Sequence, residues 1–322
     1  MNTKLYTPLL QKEIKEVESY IQKRFEKSNY RLSDNFLAIL NAGGKRIRPA
    51  FVFLSGELFG ENKRDLLRFA AAIEMIHMST LVHDDIIDHA EERRGKQTLN
   101  AKFGNPWALY AGNYLFAEAL ELIQPEKNKE IAKVMADSAV KIVEGELLQH
   151  LALFNTNQTI RDYLKRIRGK TALLLALSCQ VGAMAAGQSP EKVKKMYNFG
   201  YNLGMAFQII DDILDIEENA KTKKTKGEDL LNGHINLPAL IALKDKDKLS
   251  GELDAIIKSK FSNENSFARG IEIIKDKEGI NRAKEIAFRY SEKAKSFLSD
   301  FKESPVKKEL IRITDSLYER NF

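Results

Sequence analysis

Apolar residues recur at spacings of three and four along almost the whole chain, and this helical period limits the fold more than any other feature. The first run of the pattern contains Leu10, Ile14, Val17, Ile21 and Phe25, which predicts an amphipathic helix. No segment has the alternation and turn spacing of a β-sheet. The sequence therefore predicts an all-α fold in a single domain, with buried inner helices and a more charged C-terminal periphery.

A long helix is predicted to begin near Arg64 and to continue into an acidic stretch around Asp84. Prolines fall close to the predicted helix breaks, because proline lacks a backbone N–H and fixes φ. The further predicted helices cover residues 106–123, 128–152, 162–187 and 191–215, with several more between 237 and 318, and the prolines concerned are Pro106, Pro125, Pro190, Pro238 and Pro305.

Charge and cysteine content exclude several classes of protein. The formal net charge of +6 is modest for 322 residues, and the bases are spread along the chain. Because there is no basic stripe, aromatic stacking motif or zinc knuckle, we expect no nucleic-acid partner. Cys179 is the only cysteine, which rules out an internal disulfide and a cysteine-bound zinc. A basic site for a small phosphate ligand fits this composition better.

The distribution of apolar residues indicates a cytoplasmic protein. The N-terminal segment lacks the continuous apolar core of a signal peptide. The most apolar run, from Thr171 to Gly187, has 17 residues and contains Gln180, which places it near the lower limit for a membrane span. We therefore expect it to form a buried central helix, and we expect no membrane-spanning segment.

Two aspartates at helical spacing form the first candidate site. In HDDIID, residues 83–88, Asp84 and Asp88 are four apart, so a helix places both carboxylates on one face. Like charges in that position repel each other, whereas magnesium prefers oxygen ligands and would reverse the sign of the interaction. Taken alone, the motif fits a solvated acidic turn equally well.

A second acidic turn repeats the spacing. FQIIDDILD, residues 207–215, contains Asp211, Asp212 and Asp215 inside an apolar helix. Acids in apolar surroundings are costly unless they are paired or bound to a metal. Two such turns facing each other across a cavity would hold several cations, which is an arrangement suited to a diphosphate.

A basic motif supplies positive charge. AGGKRIRP contains Lys45, Arg46 and Arg48 behind two glycines. Paired glycines let a backbone approach an anion, while lysine and arginine donate to phosphate. Alone, the motif could be a solvated basic loop, but together with Arg93, Arg94 and the acidic turns it indicates two separate polyphosphate sites.

Four motifs in this order resemble the trans-prenyl diphosphate synthase family: GGKRIRP, HDDIIDHAEERRG, KTALL from Lys170, and FQIIDDILD. The resemblance covers roughly residues 30–320, and the set of motifs is highly specific. Within the family, IHMSTLVHDDIID, RIRGKTALL and SCQVGAMAAG are most similar to the large catalytic subunit of bacterial two-component hexaprenyl and heptaprenyl diphosphate synthases. The resemblance implies a single-domain bundle of long antiparallel helices around a central cavity, the isoprenoid synthase fold.

The resemblance also implies the reaction and its partners. Such an enzyme joins isopentenyl diphosphate units to an allylic diphosphate, here farnesyl diphosphate, and the product would be an all-trans hexaprenyl or heptaprenyl diphosphate for a menaquinone side chain, delivered to the membrane. A small regulatory subunit would complete a heterodimer; otherwise a homodimer is expected. The apolar segment from Trp107 to Phe116 could serve as a dimer interface or belong to the core.

Substrate-binding residues carry over by position. Lys45, Arg48, His77 and Arg94 match the isopentenyl diphosphate site of the family, and Arg93 matches the arginine that contacts the allylic diphosphate. A histidine beside apolar neighbours is more often a core residue, so the role of His77 depends on the resemblance alone.

Catalytic positions follow in the same way. Lys170, Thr171 and Gln208 match residues that surround the allylic substrate near its reacting carbon. Lys224 lies where the family closes a basic lid over the leaving group, although KTKKTKGEDL also fits a solvated charge run.

Magnesium is the cofactor that the resemblance implies, with three ions per site when diphosphate is bound. Asp84, Asp85 and Asp88 match the first magnesium-binding turn, and Asp211 and Asp215 match the second.

Small residues before the first acidic turn indicate a long product. Ser79 and Thr80 lie about one turn before Asp84, where the growing chain is expected to run and where a bulky residue stops elongation early in the family. We therefore expect a product longer than farnesyl or geranylgeranyl diphosphate.

Several positions depart from the family pattern. Asn113 replaces a usual aspartate, Glu146 a usual glutamine, His234 a usual lysine and Asn236 a usual threonine. None of these changes removes an aspartate of either acidic turn.

Three other functions fit the sequence less well than elongation. A terpene cyclase would share the first acidic turn but would change the second and would not need GGKRIRP. A non-catalytic partner subunit would be expected to lose the aspartates, which this chain keeps. His83 beside Asp84 could form the metal pair of a phosphohydrolase, but the other spaced histidines that such a site requires are missing.

Overall fold

The computed structural model describes residues 6–26, 36–37, 39–40, 43–61, 63–93, 95–124, 128–217, 227–245 and 247–319. Nearly all of these residues are helical, which confirms the predicted all-α class. The helices are α1 (Pro8–Glu26), α2 (Ile47–Glu57), α3 (Lys63–Ile87), α4 (Leu99–Phe103), α5 (Asn105–Ile123), α6 (Lys129–Leu151), α7 (Ile160–Ile167), α8 (Leu173–Ala185), α9 (Pro190–Ile216), α10 (Glu228–Leu231), α11 (Leu237–Leu243), α12 (Lys248–Lys258), α13 (Glu264–Asp276), α14 (Gly279–Ser296) and α15 (Pro305–Glu319).

Helix boundaries agree closely with the sequence pattern. Pro106, Pro190, Pro238 and Pro305 each lie at or within two residues of a helix start, where a missing N–H costs no intrahelical bond; Pro125 lies outside the described residues. The helix expected over 162–187 differs in one respect. Five of its residues, Arg168–Ala172, form a π-helical turn between α7 and α8.

Strand structure in the described ranges is limited to one small hairpin. The strands β1 (Glu92–Arg93) and β2 (Lys96–Gln97) pair antiparallel, with Glu92 opposite Gln97 and Arg93 opposite Lys96. Two-residue strands carry too little alternating pattern to be predicted from sequence.

The chain forms two compact units. The first contains Met1–Ala139, Leu177–Tyr197 and Phe301–Ile313. In it, α1 buries the apolar face predicted from its sequence, and α2 is buried on almost every side. Small residues let helices approach closely, since a Cβ atom placed on Gly182 of α8 would lie 2.4 Å from the carbonyl oxygen of Val52 in α2.

The second unit contains Val140–Ala176, Asn198–Asp300 and Thr314–Phe322. Its core combines apolar residues of α7, of the later part of α9 and of α11 to α14. The apolar run from Thr171 to Gly187 begins in this unit and continues into the first, and most of its residues are buried, as expected. None of the helices in the described ranges is long and apolar enough to span a membrane.

Candidate active site

The basic motif forms a tight turn that leads into α2. Gly43 has a φ of 83° and Arg46 a φ of 49°, in the left-handed region that favours glycine. The hydroxyl of Tyr6 donates to the carbonyl oxygen of Lys45 at 2.6 Å, which fixes the turn against the start of the chain. The side chains of Lys45 and Arg48 are half-buried.

Arg46 has a different position from the two bases beside it. Its buried guanidinium contacts Glu18 and Glu74, both at 2.8 Å, and donates to the carbonyl oxygen of Leu40. Burial alone would lower the pKa of Arg46, but the carboxylates of Glu74 and Glu18 raise it. Arg46 therefore stabilises the turn, and Lys45 and Arg48 stay the members of the motif that are predicted to contact phosphate.

Helix α3 brings Ser79, one of the two expected chain-length residues, against α5. The buried Ser79 hydroxyl donates to the carbonyl oxygen of Gly112 at 2.9 Å, and the half-buried Thr80 hydroxyl donates to that of His77. A Cβ atom placed on Gly112 would lie 2.3 Å from Nε2 of His83. His83 is half-buried and packs against the backbone of α5.

The first acidic turn closes the end of α3. The backbone N–H of Asp88 donates to the carbonyl oxygen of Asp84 at 2.8 Å, so helical spacing extends to Asp88 although α3 ends at Ile87. Asp84 is half-buried and Asp88 exposed, whereas Asp85 is only 7% exposed. The first and last aspartates thus form the accessible pair.

Asp85 points toward the hairpin and holds Arg93. Its Oδ1 lies 2.6 Å from Nε of Arg93. Burial raises the pKa of Asp85, and the guanidinium of Arg93 opposes that rise. The Thr98 hydroxyl, which caps α4, donates to the carbonyl oxygen of Ala90 at 2.7 Å and ties down the other end of the hairpin. Arg94 lies outside the described residues.

The second acidic turn has the same division. On α9, Asp211 is exposed and Asp215 half-buried, while Asp212 between them is 6% exposed. The carbonyl oxygen of Asp215 accepts from the N–H of Gly227 at 2.7 Å, so Gly227 is held at the end of α9. Lys224, the expected lid residue, lies in the stretch 218–226, outside the described residues.

Lys170 and Thr171 lie in the π turn, which is packed tightly on two sides. A Cβ atom placed on Gly145 of α6 would lie 2.6 Å from the Cα of Gly169, and one on Gly204 of α9 would lie 2.5 Å from the Cα of Ala172. π turns inside α-helices are frequent at functional sites. The close backbone contacts fix the backbone of this turn, including the Cα atom from which the half-buried Lys170 side chain extends.

Thr171 begins a chain of hydrogen bonds. Its hydroxyl donates to Oε1 of Gln208 at 2.6 Å, and Nε2 of Gln208 donates to Oδ1 of Asp212 at 2.9 Å. The Tyr163 hydroxyl donates to Oδ2 of Asp212 at 2.7 Å. Burial raises the pKa of Asp212 to about 7, while Gln208 and Tyr163 oppose the rise. The pKa of Tyr163 is also raised by its burial and by the Asp212 carboxylate.

Sequence reasoning paired Thr171 with Gln208 but missed Tyr163. In the pattern of apolar residues Tyr163 is one more core position, and the structure does bury it completely. Only the phenolic hydroxyl seven residues before Lys170 distinguished it, and no sequence feature linked that hydroxyl to Asp212.

The four departures from the family pattern occupy different environments. Asn236 caps α11, because its Oδ1 accepts from the N–H of Ala239 at 3.2 Å. Asparagine and threonine both favour this cap position, so the replacement keeps the local structure. The backbone N–H of His234 donates to the carbonyl oxygen of Asp229 at 2.8 Å, Asn113 is exposed, and Glu146 is half-buried beside Gly145.

The chemistry of the acidic turns fits magnesium. Each turn offers carboxylate oxygens one helical turn apart, which are hard donors of the type that magnesium prefers. In the part of the chain that the structure describes, no three His, Cys, Asp or Glu side chains are already grouped as a metal centre. Because magnesium is usually bound through one or two carboxylates plus substrate phosphates, accessible pairs such as Asp84 with Asp88 fit this mode of binding.

Comparisons with known proteins point in one direction. The profile of the family described as Polyprenyl synthetase matches residues 29–274. Heptaprenyl diphosphate synthase component 2 from Geobacillus stearothermophilus is 39% identical over 295 residues, which is 91% of each chain. Its name marks that protein as one part of a two-component enzyme.

Solved structures give the same result. Heptaprenyl diphosphate synthase from Staphylococcus aureus matches with a TM-score of 0.90 and 37% identity over 97% of this chain and 99% of that one. Polyprenyl synthase from Caulobacter crescentus, solved with calcium and isoprenyl diphosphate, matches with a TM-score of 0.90 and 30% identity over 98% of this chain and 96% of that one. The predicted isoprenoid synthase fold is confirmed.

Proposed function

This chain belongs to the polyprenyl synthetase family, and we propose that it is the magnesium-dependent catalytic subunit of a two-component long-chain synthase. It is a prenyltransferase that elongates trans-prenyl diphosphates, as its relatives do. In this proposal the primer is farnesyl diphosphate, the unit added to it is isopentenyl diphosphate, and the product is a hexaprenyl or heptaprenyl diphosphate. We also propose that the activity resides in one catalytic domain that covers residues 1–322, and that the protein is cytoplasmic.

The observation that carries this proposal is the shared design of the two acidic turns. In each, the first and last aspartates are the more accessible ones, and the middle aspartate is buried and held by a hydrogen-bonding side chain. Like charges one helical turn apart gain nothing from solvent alone. The same arrangement at two separate places favours metal-bound diphosphate over two accidental acidic surfaces.

Magnesium would be held by Asp84 and Asp88 of the first turn and by Asp211 and Asp215 of the second. Three ions in all would be bound when diphosphate is present. Bound magnesium would neutralise the charge that develops on the diphosphate as its bond to carbon breaks. The Caulobacter crescentus enzyme was solved with calcium and isoprenyl diphosphate, which supports a divalent cation and a diphosphate as ligands of this chain. Arg93, held by Asp85, would contact the allylic diphosphate.

Isopentenyl diphosphate would be bound by the half-buried Lys45 and Arg48 with His77 and Arg94. Lys170, Thr171 and Gln208 would surround the reacting carbon of the primer. The carbon–oxygen bond of the allylic diphosphate breaks, and the diphosphate leaves with the electron pair. The double bond of isopentenyl diphosphate then forms the new carbon–carbon bond, and the released diphosphate takes the proton that is lost. Holding both substrates together replaces a bimolecular encounter.

A small partner subunit is proposed from the relative's name and from exposed apolar surface. On α5, Trp107, Leu109 and Tyr110 are 52%, 47% and 68% exposed, so these side chains do not belong to the core of this chain. Apolar surface of this kind favours a protein contact. A non-catalytic role for this chain is disfavoured, because it keeps both acidic turns.

The test is a product assay with magnesium, farnesyl diphosphate and labelled isopentenyl diphosphate, run on this chain alone and with a candidate small subunit. Long prenyl diphosphates that form only in the mixture would support a two-component enzyme. Products from the chain alone would replace this proposal with a self-sufficient homodimer. A lack of elongation under both conditions, with the chain folded, would sink the proposed function.

A further inference from the structure

Tyr163 is the one member of the Thr171 hydrogen-bond chain that belongs to none of the sequence motifs. It is fully buried, and it lies on α7, before the π turn. Its ring is held by the guanidinium of Arg166, whose Cζ lies 5.3 Å from the ring centroid. Arg166 is itself held, since it donates to the carbonyl oxygen of Ile235 at 2.6 Å and to Gln158 at 3.1 Å.

In its carboxylate form, Asp212 fixes the direction of the hydrogen bonds around it. Both oxygens of Asp212 accept, one from the Tyr163 hydroxyl and the other from Nε2 of Gln208. The amide group that faces Asp212 is therefore the NH₂, and Oε1 must face Thr171. An amide oxygen only accepts, so the Thr171 hydroxyl donates its proton to Gln208.

This direction decides what Thr171 presents to its surroundings. Because its only hydroxyl proton is used by Gln208, Thr171 can offer lone pairs and not a hydrogen to any other group. An oxygen that presents lone pairs stabilises developing positive charge, whereas an O–H hydrogen in the same place opposes it. The backbone of Thr171 is already fixed by the tight packing of the π turn, so the hydroxyl torsion and the Gln208 rotamer are what the hydrogen bonds control.

We propose that Tyr163 is a positioning residue for the elongation reaction, acting through Asp212 and Gln208 to set the direction of the Thr171 hydroxyl. The proposal rests on the proposed function, because it takes Thr171 to lie at the reacting carbon. Tyr163 itself touches no substrate. Without its hydroxyl, Asp212 loses one of two donors and can rotate, and Gln208 and Thr171 are free to take other rotamers.

The test is a double-mutant cycle in the active form of the enzyme, with its small subunit if that is required. Tyr163→Phe should lower the single-turnover rate by about 10- to 100-fold, the scale of a misplaced reacting group, with KM for both diphosphates within about twofold. Thr171→Ser keeps the hydroxyl, so Tyr163→Phe should lower the single-turnover rate by the same factor in that background as in the wild type. Thr171→Val lacks the hydroxyl, so there Tyr163→Phe should have no further effect.

Tyr290→Phe is the matched control. It removes a phenolic hydroxyl from a half-buried position in the same unit, outside this hydrogen-bond chain, and should leave the rate within about twofold. Equal losses from Tyr163→Phe in the Thr171→Val and Thr171→Ser backgrounds would overturn the proposal, as would a loss that appears only in KM.

A crystal structure of Tyr163→Phe provides a readout that does not depend on activity. Altered rotamers at Thr171 or Gln208 are expected. If both side chains keep their positions and their hydrogen bond, the positioning role is wrong even if the variant is slow. An inactive wild-type enzyme would instead count against the proposed function, so the two failures are distinguishable.

Discussion

Gly145 and Gly169 meet backbone to backbone, so that a Cβ atom on either residue would lie within 2.6 Å of the Cα of the other. Gly169→Ala should therefore force α6 and the π turn apart. We expect a loss of about 1 to 3 kcal/mol in the free energy of unfolding, as for other overpacked sites. Chemical denaturation would measure this loss.

Gly251→Ala is a matched control for that variant. Gly251 lies inside α12, and a Cβ atom placed there meets nothing within 4 Å. Alanine should raise stability by about 0.5 to 1 kcal/mol, because glycine is unfavourable inside helices. Similar effects of the two substitutions would contradict the importance of the Gly145 contact.

Alanine substitutions at two neighbouring bases of the basic motif should have opposite effects, one on stability and the other on substrate binding. Arg46→Ala leaves Glu74 buried without its partner, and breaking such a buried pair costs about 3 to 5 kcal/mol. Lys45→Ala should leave stability within about 0.5 kcal/mol and raise KM for isopentenyl diphosphate. Thermal unfolding and steady-state kinetics on both variants would separate the roles; a stable, active Arg46→Ala enzyme would disprove the assignment.

Asparagine substitutions at the accessible and at the buried aspartates of the first turn should have different kinetic effects. Asp84→Asn and Asp88→Asn should each lower kcat by about a hundredfold or more and raise the magnesium concentration needed for half-maximal rate. Asp85→Asn should mainly raise KM for the allylic diphosphate, because Arg93 loses its anchor. Rates measured over a magnesium titration test this, with Asp137→Asn on the exposed face of α6 as control. Full activity of Asp84→Asn at unchanged magnesium would be incompatible with its role.

Product length should depend on the volume of the side chain at Ser79. Ser79→Phe places a ring at the contact between α3 and α5 and should shorten the product. Ser79→Ala removes only the hydrogen bond to Gly112, which should cost about 1 kcal/mol of stability and leave chain length unchanged. Chromatography of the dephosphorylated products would show the distribution; identical profiles for the wild type and Ser79→Phe would refute this role.

Asp212 should make stability depend on pH in the metal-free protein. Its pKa rises on folding from 3.8 to about 7, so the folded state binds the extra proton. The contribution of this proton to the free energy of unfolding is complete below about pH 4. It is lost as pH rises to about 7, which lowers the free energy of unfolding by an amount of order 4 kcal/mol. Asp212→Asn, which resembles the protonated acid, should match the wild type below about pH 4 and become more stable than the wild type as pH rises to 8. Urea unfolding in the presence of a chelator measures this difference, and parallel pH profiles would count against it.

Sequence alone predicted the helices and the helical spacing of the aspartates well, for physical reasons. The burial of one face of α1 follows from the spacing between Leu10 and Phe25, and helical spacing places Asp84 and Asp88 together. The sequence could not distinguish the role of Arg46 from that of Lys45, because only the folded structure shows that Glu18 and Glu74 contact Arg46.

The π turn and Tyr163 were beyond the reach of periodicity. An apolar run stays apolar when one extra residue enters a helix, so the pattern over 162–187 hides the turn at Arg168–Ala172. Asp212 looked like a third acid of the second turn, and only the packing of α7 against α9 shows that it accepts from Tyr163.

The π turn also limits which changes in chain length this protein can tolerate. A π turn holds one residue more than an α-helix that covers the same rotation, so deleting one residue between Arg168 and Ala172 would join α7 and α8 in a regular α-helix. The buried side chains of α8 would keep their contacts, but Lys170 and Thr171 would lose the turn that sets their direction. Insertions and deletions that preserve activity should therefore fall in the loops, such as 152–159 between α6 and α7, and spare these five positions.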